Sequence, residues 1–143
     1  MKKVLLVLTL LLSCNMAFCA DLSPLSQSYY DKAVNLYQAG NIDEAKANFY
    51  KVIVVEPNYA DAYYNLAAIA ENEGNTEKAA YLYKRVLGIN ANDYGARYRL
   101  GACLNSLNKK DEAINYLVYI PESAPEYKSV RILLNKIAPD KFE

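Results

Sequence analysis

The sequence predicts an all-α fold, a stack of paired helices, and three observations carry that expectation. Three stretches align at a spacing of 34 residues: Ala45, Ala79 and Ala113 share one column, Val52, Val86 and Ile120 a second, Phe49, Tyr83 and Leu117 a third, and Pro57, Ala91 and Pro125 a fourth. Gly40, Gly74 and Asn108 share a fifth, and these residue types tolerate the left-handed conformation that closes a helix C-terminus. Between the stops, apolar residues recur at three- and four-residue steps, which is the helical period. A fixed repeat of this length means supersecondary units that bury their apolar faces only by stacking on one another.

Taken in order, the units are residues 26–59, 60–93 and 94–127. In the first, the opening helix ends at Gly40 and the second restarts at Asn41-Ile42-Asp43-Glu44, whose capping and acidic residues suit a first turn. Ala45, Phe49, Val52 and Ile53 then form its apolar face. Asn58 is the expected N-cap of the second unit, where Ala62, Leu66, Ile69 and Ala70 make one stripe before Gly74. Asn75-Thr76-Glu77 restarts the chain, followed by Ala79, Leu82, Tyr83, Val86 and Leu87. Asn92-Asp93 opens the third unit, Asn108 divides it, and Asp111-Glu112 begins its second helix. Pro121, one residue after Ile120, should end that helix early and leave 121–125 as a loop. A last stripe of Tyr127, Val130, Leu133, Leu134 and Ile137, stopped by Pro139, predicts a capping helix over about 127–138. Small residues at Ala45, Ala79 and Ala113 let paired helices approach closely, with Phe49, Tyr83 and Leu117 filling the space beside them.

These positions resemble the tetratricopeptide repeat (TPR) family. The family pattern is an aromatic residue, Leu-Gly three and four residues later, then a Tyr, an Ala, a Phe and a closing Pro. The second unit carries Tyr63, Leu66-Ala67, Ala70, Ala79, Tyr83 and Ala91; the third carries Leu100-Gly101, Leu104, Ala113, Leu117 and Pro125, with Arg97 in the aromatic column. The first carries Tyr29, Ala33, Leu36, Ala45, Phe49 and Pro57. The resemblance implies a right-handed α-α superhelix of three helix-turn-helix units with a C-terminal capping helix, one domain over 26–138. It also implies binding of an extended peptide or partner helix in a concave groove lined by the first helix of each unit. By register the groove columns are Tyr30, Tyr64 and Tyr98, with Asp31, Asn65 and Arg99 beside them. Val34, Ala68 and Ala102 follow, then Tyr37, Glu71 and Asn105. A tyrosine gives a rigid apolar face with a hydrogen-bonding tip, which serves peptide binding and inter-unit packing equally, so both readings stand. Asn65 and Arg99 also match two of the five positions of the family's carboxylate clamp for acidic peptides. Tyr30, Val34 and Gly95 replace its Lys, Asn and Lys, and a clamp is not expected.

The first twenty residues have a different character. Met-Lys-Lys precedes an apolar run over 4–12 and a small-residue exit at Ala17-Phe18-Cys19-Ala20, the parts of a secretory signal peptide. Ala17 and Cys19 suit a cut before Ala20. Leu11-Leu12-Ser13-Cys14 resembles a bacterial lipobox, which would leave a lipidated Cys14. Small residues near the exit favour ordinary secretion, and the expected location is secreted or periplasmic, with an outer-membrane lipoprotein as the alternative. Sixteen basic residues balance sixteen acidic ones; without Lys2 and Lys3 the charge is −2, and no basic excess points to nucleic acid or anionic lipid. Membrane attachment is expected only through Cys14. With Cys14 and Cys19 removed, Cys103 is alone and reads as a buried small hydrophobe.

Catalysis is hard to assemble. The chain has no His, which removes His-based nucleophile activation, general-base work and His metal ligation. Asp43-Glu44 and Asp111-Glu112 lie at helix starts, where capping suffices, and the five glycines form no phosphate cradle. Arg97, Arg99 and Lys84-Arg85 read as a solvated helix surface, and Glu71, Glu73 and Glu77 as exposed residues without metal-like convergence. The expectation is a non-enzymatic scaffold or adaptor with a protein partner, no cofactor and no metal. Its alternative is a self-associating subunit, joined through an N-terminal end where Leu22 and Leu25 precede the first helix without an evident cap.

Overall fold

The computed structural model describes residues 22–142; the leader, with both of its cleavage routes, lies outside the described residues. Eight helices and no strand occur among them: α1 Pro24–Gln38, α2 Ile42–Val55, α3 Ala60–Asn72, α4 Thr76–Ile89, α5 Tyr94–Ser106, α6 Lys110–Leu117, α7 Tyr127–Ile137 and α8 Pro139–Phe142. Each helix packs on the next in chain order through α6, so the architecture is a single file of hairpins. None of these helices is long and apolar enough to cross a membrane.

The column of helix stops has the backbone its residue types foreshadow. Gly40, Gly74 and Asn108 sit at φ of 81°, 77° and 60°, the left-handed region that turns each hairpin. In all three turns the following amide reaches back to the helix, as Asn41 N–H does to Leu36 O at 2.9 Å and Asn75 N–H to Ala70 O at 2.8 Å. Asn75 and Asp93 cap their helices through their side chains, accepting from the Lys78 and Ala96 amides. Asn58 does not cap α3: Tyr59 occupies that position and offers no side-chain bond.

Ala45, Ala79 and Ala113 are wholly buried at the crossings, with Phe49, Tyr83 and Leu117 beside them. α6 stops at Leu117, three residues short of Ile120, and the chain turns through residues 118–126 before α7. The buried residues of α7 are Val130, Leu134 and Ile137, which continue the columns of Ala62 and Ala96, Leu66 and Leu100, and Ile69 and Cys103. The capping helix thus keeps the register of the first helix of a fourth unit, followed among the described residues by the short α8. α7 ends at Ile137, just ahead of Pro139 as the sequence predicts, and Pro139 opens the separate short α8, where the Phe142 carbonyl accepts from Arg131 Nη2 at 2.7 Å.

The N-terminal end differs from the expectation of an uncapped, apolar start. Ser23 caps α1 by accepting from the Ser26 amide, Pro24 begins the helix, and Leu25 lies inside it. Ser23 N–H and Ser26 Oγ–H both donate to Glu56 at the end of α2, at 3.3 and 3.4 Å. On the terminal face Ser28, Lys32 and Asn35 are exposed where later units bury Ala62, Leu66 and Ile69. A polar face of this kind is one that water solvates.

Candidate functional site

The first helices α1, α3 and α5 form one face of the stack, and an open cleft of about 320 Å³ lies on it. Tyr30 of α1, Asp61, Tyr64 and Asn65 of α3, and Asp93 at the start of α5 line it. Both aromatic walls are held by other rings. Tyr30 packs edge-on against Phe49 and Tyr59, with centroids 5.7 and 5.3 Å apart, and Tyr64 against Tyr83 at 5.4 Å. Such edge-to-face pairs fix ring orientation as well as burying area. Asn65 Nδ2 joins the units by donating to Tyr30 Oη at 3.1 Å and to Asp61 O at 2.8 Å. Burial raises the Tyr30 hydroxyl pKa, and the charge of Asp61 raises it further against the opposing effect of Asn65.

Of the twelve positions named by register, the structure brings Tyr30, Tyr64 and Asn65 together around this cleft. Asp31 is on the same helix and accepts from Gln27 Nε2 at 2.8 Å. Tyr37 lies further along, where Asn72 Nδ2 donates to its hydroxyl at 3.2 Å. Tyr98 is partly buried against the core. Arg99, on α5, donates to Glu71 Oε1 at 3.3 Å and lies beside the Tyr64 hydroxyl that walls the cleft.

Glu71 is not the exposed residue its polarity implied. It is half-buried, and its second oxygen accepts from the fully buried Tyr83 hydroxyl at 3.0 Å. This carboxylate ties α3 to α4 and α5. Burial pushes the Tyr83 hydroxyl pKa well above its ordinary value, with Glu71 adding to the effect. Burial likewise pushes the Cys103 thiol up to about 11, so the thiol is held in its unreactive form.

The basic residues singled out in the sequence do not converge. Arg85 covers the Tyr63 ring, Arg97 the Tyr119 ring, and Lys84 reaches Glu112 at 3.6 Å. A cleft of about 350 Å³ bordered by Arg97, Glu112, Asn115, Tyr116 and Tyr119 lies beside the Arg97 and Lys84 pairs, and a separate apolar one of about 290 Å³ lies between α1 and α2, bordered by Leu25, Tyr29, Tyr50, Val54 and Val55. Among the described residues no group of His, Cys, Asp and Glu side chains is placed to hold a metal ion.

Two models of the tetratricopeptide repeat family match residues 30–94 and 70–137, a span from α1 to the end of α7. The chain belongs to the tetratricopeptide repeat family. Its fold is shared with solved TPR structures of low sequence identity. MamA (residues 41 to the end) from Desulfovibrio magneticus RS-1 is 21% identical at a TM-score of 0.73, covering 82% of this chain and 66% of its own. This chain therefore spans just under two thirds of that MamA structure. The Yersinia enterocolitica type III secretion chaperone SycD, in complex with a peptide of the translocator YopD, is 21% identical at 0.71, covering 81% of this chain and 94% of its own. The first TPR of Spaghetti (RPAP3), bound to the HSP90 peptide SRMEEVD, is 21% identical at 0.72, covering 82% and 94%. No curated protein matches the chain.

Proposed function

We propose that this TPR protein is a non-enzymatic scaffold of the cell envelope that holds an extended peptide or partner helix against the face built by α1, α3 and α5. The observation that carries the reading is the open cleft between Tyr30 and Tyr64, whose rings are already oriented by Phe49, Tyr59 and Tyr83. Walls ordered before the ligand arrives lower the entropic cost of binding. SycD and RPAP3, which share the fold, were solved with peptides, and this supports the same use here. The envelope assignment rests on the secretory character of residues 1–20.

The test is selection of peptides from a random display library on the purified protein, repeated with Tyr64→Ala/Asn65→Ala. Enriched peptides should lose binding to the variant while helicity by circular dichroism persists. Equal binding to both proteins would remove the groove from the account.

One observation favours a second reading, self-association. The apolar cleft between α1 and α2 leaves Val54 79% exposed and Leu25 53% exposed, an unusual concentration for a small domain. Sedimentation equilibrium at high micromolar concentration decides this reading: a monomer ends it, and a dimer abolished by Val54→Asp sustains it.

A further inference from the structure

We propose that the second helices of the first two units, α2 and α4, form a docking face for an anionic membrane surface. This face is separate from the groove and stands or falls without it. Past its first turn, the exposed residues of α2 are Ala47, Tyr50, Lys51, Val54 and Val55. Those of α4 are Lys78, Tyr81, Lys84, Arg85 and Gly88. No carboxylate occurs among them, in a chain whose sixteen basic and sixteen acidic residues balance. The acids of these two helices, Asp43, Glu44 and Glu77, are confined to the first turns, where they meet the helix dipole. Whole-chain charge balance conceals a segregation that the fold brings onto one side.

The two helices are joined across this face. Lys78 of α4 stands over the Tyr50 ring of α2 at 5.7 Å, and Lys51 stands over Tyr29 at 5.3 Å. Both rings border the apolar cleft that Leu25, Val54 and Val55 complete. Among the described residues Lys51, Lys78 and Arg85 form no ion pair, and Glu56, which follows α2, is taken by Ser23 and Ser26. Aliphatic residues flanked by tyrosines and long cations have the chemistry of a bilayer interface. The apolar groups enter the headgroup boundary, the rings sit at its level, and the lysine amines reach the lipid phosphates. A second copy would cover Leu25 and Val54, but a two-fold pairing would turn Lys51 and Lys78 of one copy toward those of the other. An anionic surface compensates them instead. The chain also enters from the leader at this end, because Leu22 lies three residues before Leu25. Cys14 is eight residues before Leu22, at most about 28 Å of extended chain, so a lipid there and this face would meet the same membrane.

Co-sedimentation with vesicles tests this on the purified protein beginning at Ala20, which keeps every described helix. One set is phosphatidylethanolamine with about one quarter phosphatidylglycerol, an anionic surface; the other is zwitterionic phosphatidylcholine. The anionic vesicles should be bound at least about tenfold more tightly, and less tightly as salt is raised. Lys51→Glu/Lys78→Glu should weaken that binding by at least about tenfold. Val54→Asp should weaken it by about tenfold, the scale of one valine side chain left in water. All three side chains are exposed, so melts followed by circular dichroism should stay close to wild type. Tyr64→Ala/Asn65→Ala, on the other face, should bind vesicles as wild type does. Absence of binding, equal binding to both vesicle types, or binding that neither surface variant weakens overturns the inference. Loss of binding in the groove variant alone also overturns it, by moving the contact to the groove. If no vesicle is bound and sedimentation equilibrium finds a dimer that Val54→Asp breaks, the face pairs with a second copy and the membrane falls. Peptide selection on the groove is read separately and is unaffected by that result.

Discussion

Arg97 stands over the Tyr119 ring at 6.0 Å, and this pair is the Tyr63–Arg85 pair of the preceding unit with its ends exchanged. Lys51 over Tyr29 is the same pair in the first unit, at 5.3 Å. The equivalence extends to hydrogen bonding. Tyr63 Oη donates to Pro57 O at 3.0 Å, and Arg97 Nη2 donates to Ala91 O, one unit further on. Arg97 therefore keeps both jobs of the tyrosine that the first two units have in its column. It sits less comfortably, because its Nε is buried without a partner. Arg97→Ala and Tyr119→Ala should each destabilise, with a coupling of about 0.5–1 kcal/mol in a double-mutant cycle. The exchange Arg97→Tyr/Tyr119→Arg, which rebuilds the second unit's arrangement, should melt within a few degrees of wild type. Additive singles would show that the two side chains do not communicate.

The left-handed turns lead to a prediction free of packing effects. A Cβ added at Gly40 or Gly74 meets nothing within 4 Å, so the cost of Gly40→Ala or Gly74→Ala is the backbone conformation alone, about 1–2 kcal/mol. Asn108, at φ 60°, bears a milder form of the same strain. Asn108→Gly should be neutral or slightly stabilising, since glycine adopts this region freely. Chemical denaturation of the three variants checks the ordering, and a stabilised Gly40→Ala would contradict it.

Alkaline stability follows from the buried protons. Burial raises the Tyr83 hydroxyl pKa, pushes Tyr59 up to about 12 and pushes Cys103 up to about 11. A group whose folded pKa exceeds its unfolded value contributes stability that is complete below the unfolded pKa and is lost as pH rises through the folded one. Unfolded thiols and phenols titrate from about 8.5 to 10, so the melting temperature should be level near neutrality and fall above about pH 9. Tyr83→Phe lowers the melting temperature at neutral pH by removing the bond to Glu71, and should make the alkaline fall shallower. An identical slope in the variant would mean that Tyr83 does not hold its proton more tightly when folded.

The repeat itself was readable because each hairpin stop is written in one residue, and Gly40, Gly74 and Asn108 need no tertiary context to declare it. Residues whose role depends on another unit were not readable. Glu71 is polar and looked exposed, yet Tyr83 and Arg99 reach it from positions 12 and 28 residues away. Ser23-Pro24 is a legible helix start, but it lies ahead of the 34-residue unit that begins at residue 26, and that frame leaves Leu25 outside the helix. α7 kept the 34-residue register of Val130, Leu134 and Ile137 across a proline-broken loop, and amphipathicity alone identified only a cap. Register placed the twelve groove candidates on first helices. It could not show that Asn65 would bridge to Tyr30 or that Glu126 would come back beside Gly95, since both depend on how neighbouring units are offset.

Gly101 and Leu117 are a matched pair, and the match is testable through the repeat. A Cβ on Gly101 would lie 2.6 Å from both Cγ and Cδ2 of Leu117, closer than real contacts allow. The two earlier units have Ala33 facing the Phe49 column and Ala67 facing the Tyr83 column, and those alanines are fully buried without conflict. A flat ring leaves room for a methyl group where the branched leucine does not. Gly101→Ala alone should therefore destabilise by about 1–3 kcal/mol, the usual cost of overpacking, despite the better helix propensity of alanine. Gly101→Ala/Leu117→Phe should recover most of that loss, because it installs the first unit's combination in the third. Thermal melts of the single and double variants give the comparison. If Gly101→Ala is as stable as wild type, Leu117 moves aside without cost, and the close fit between α5 and α6 is not what excludes a methyl group there.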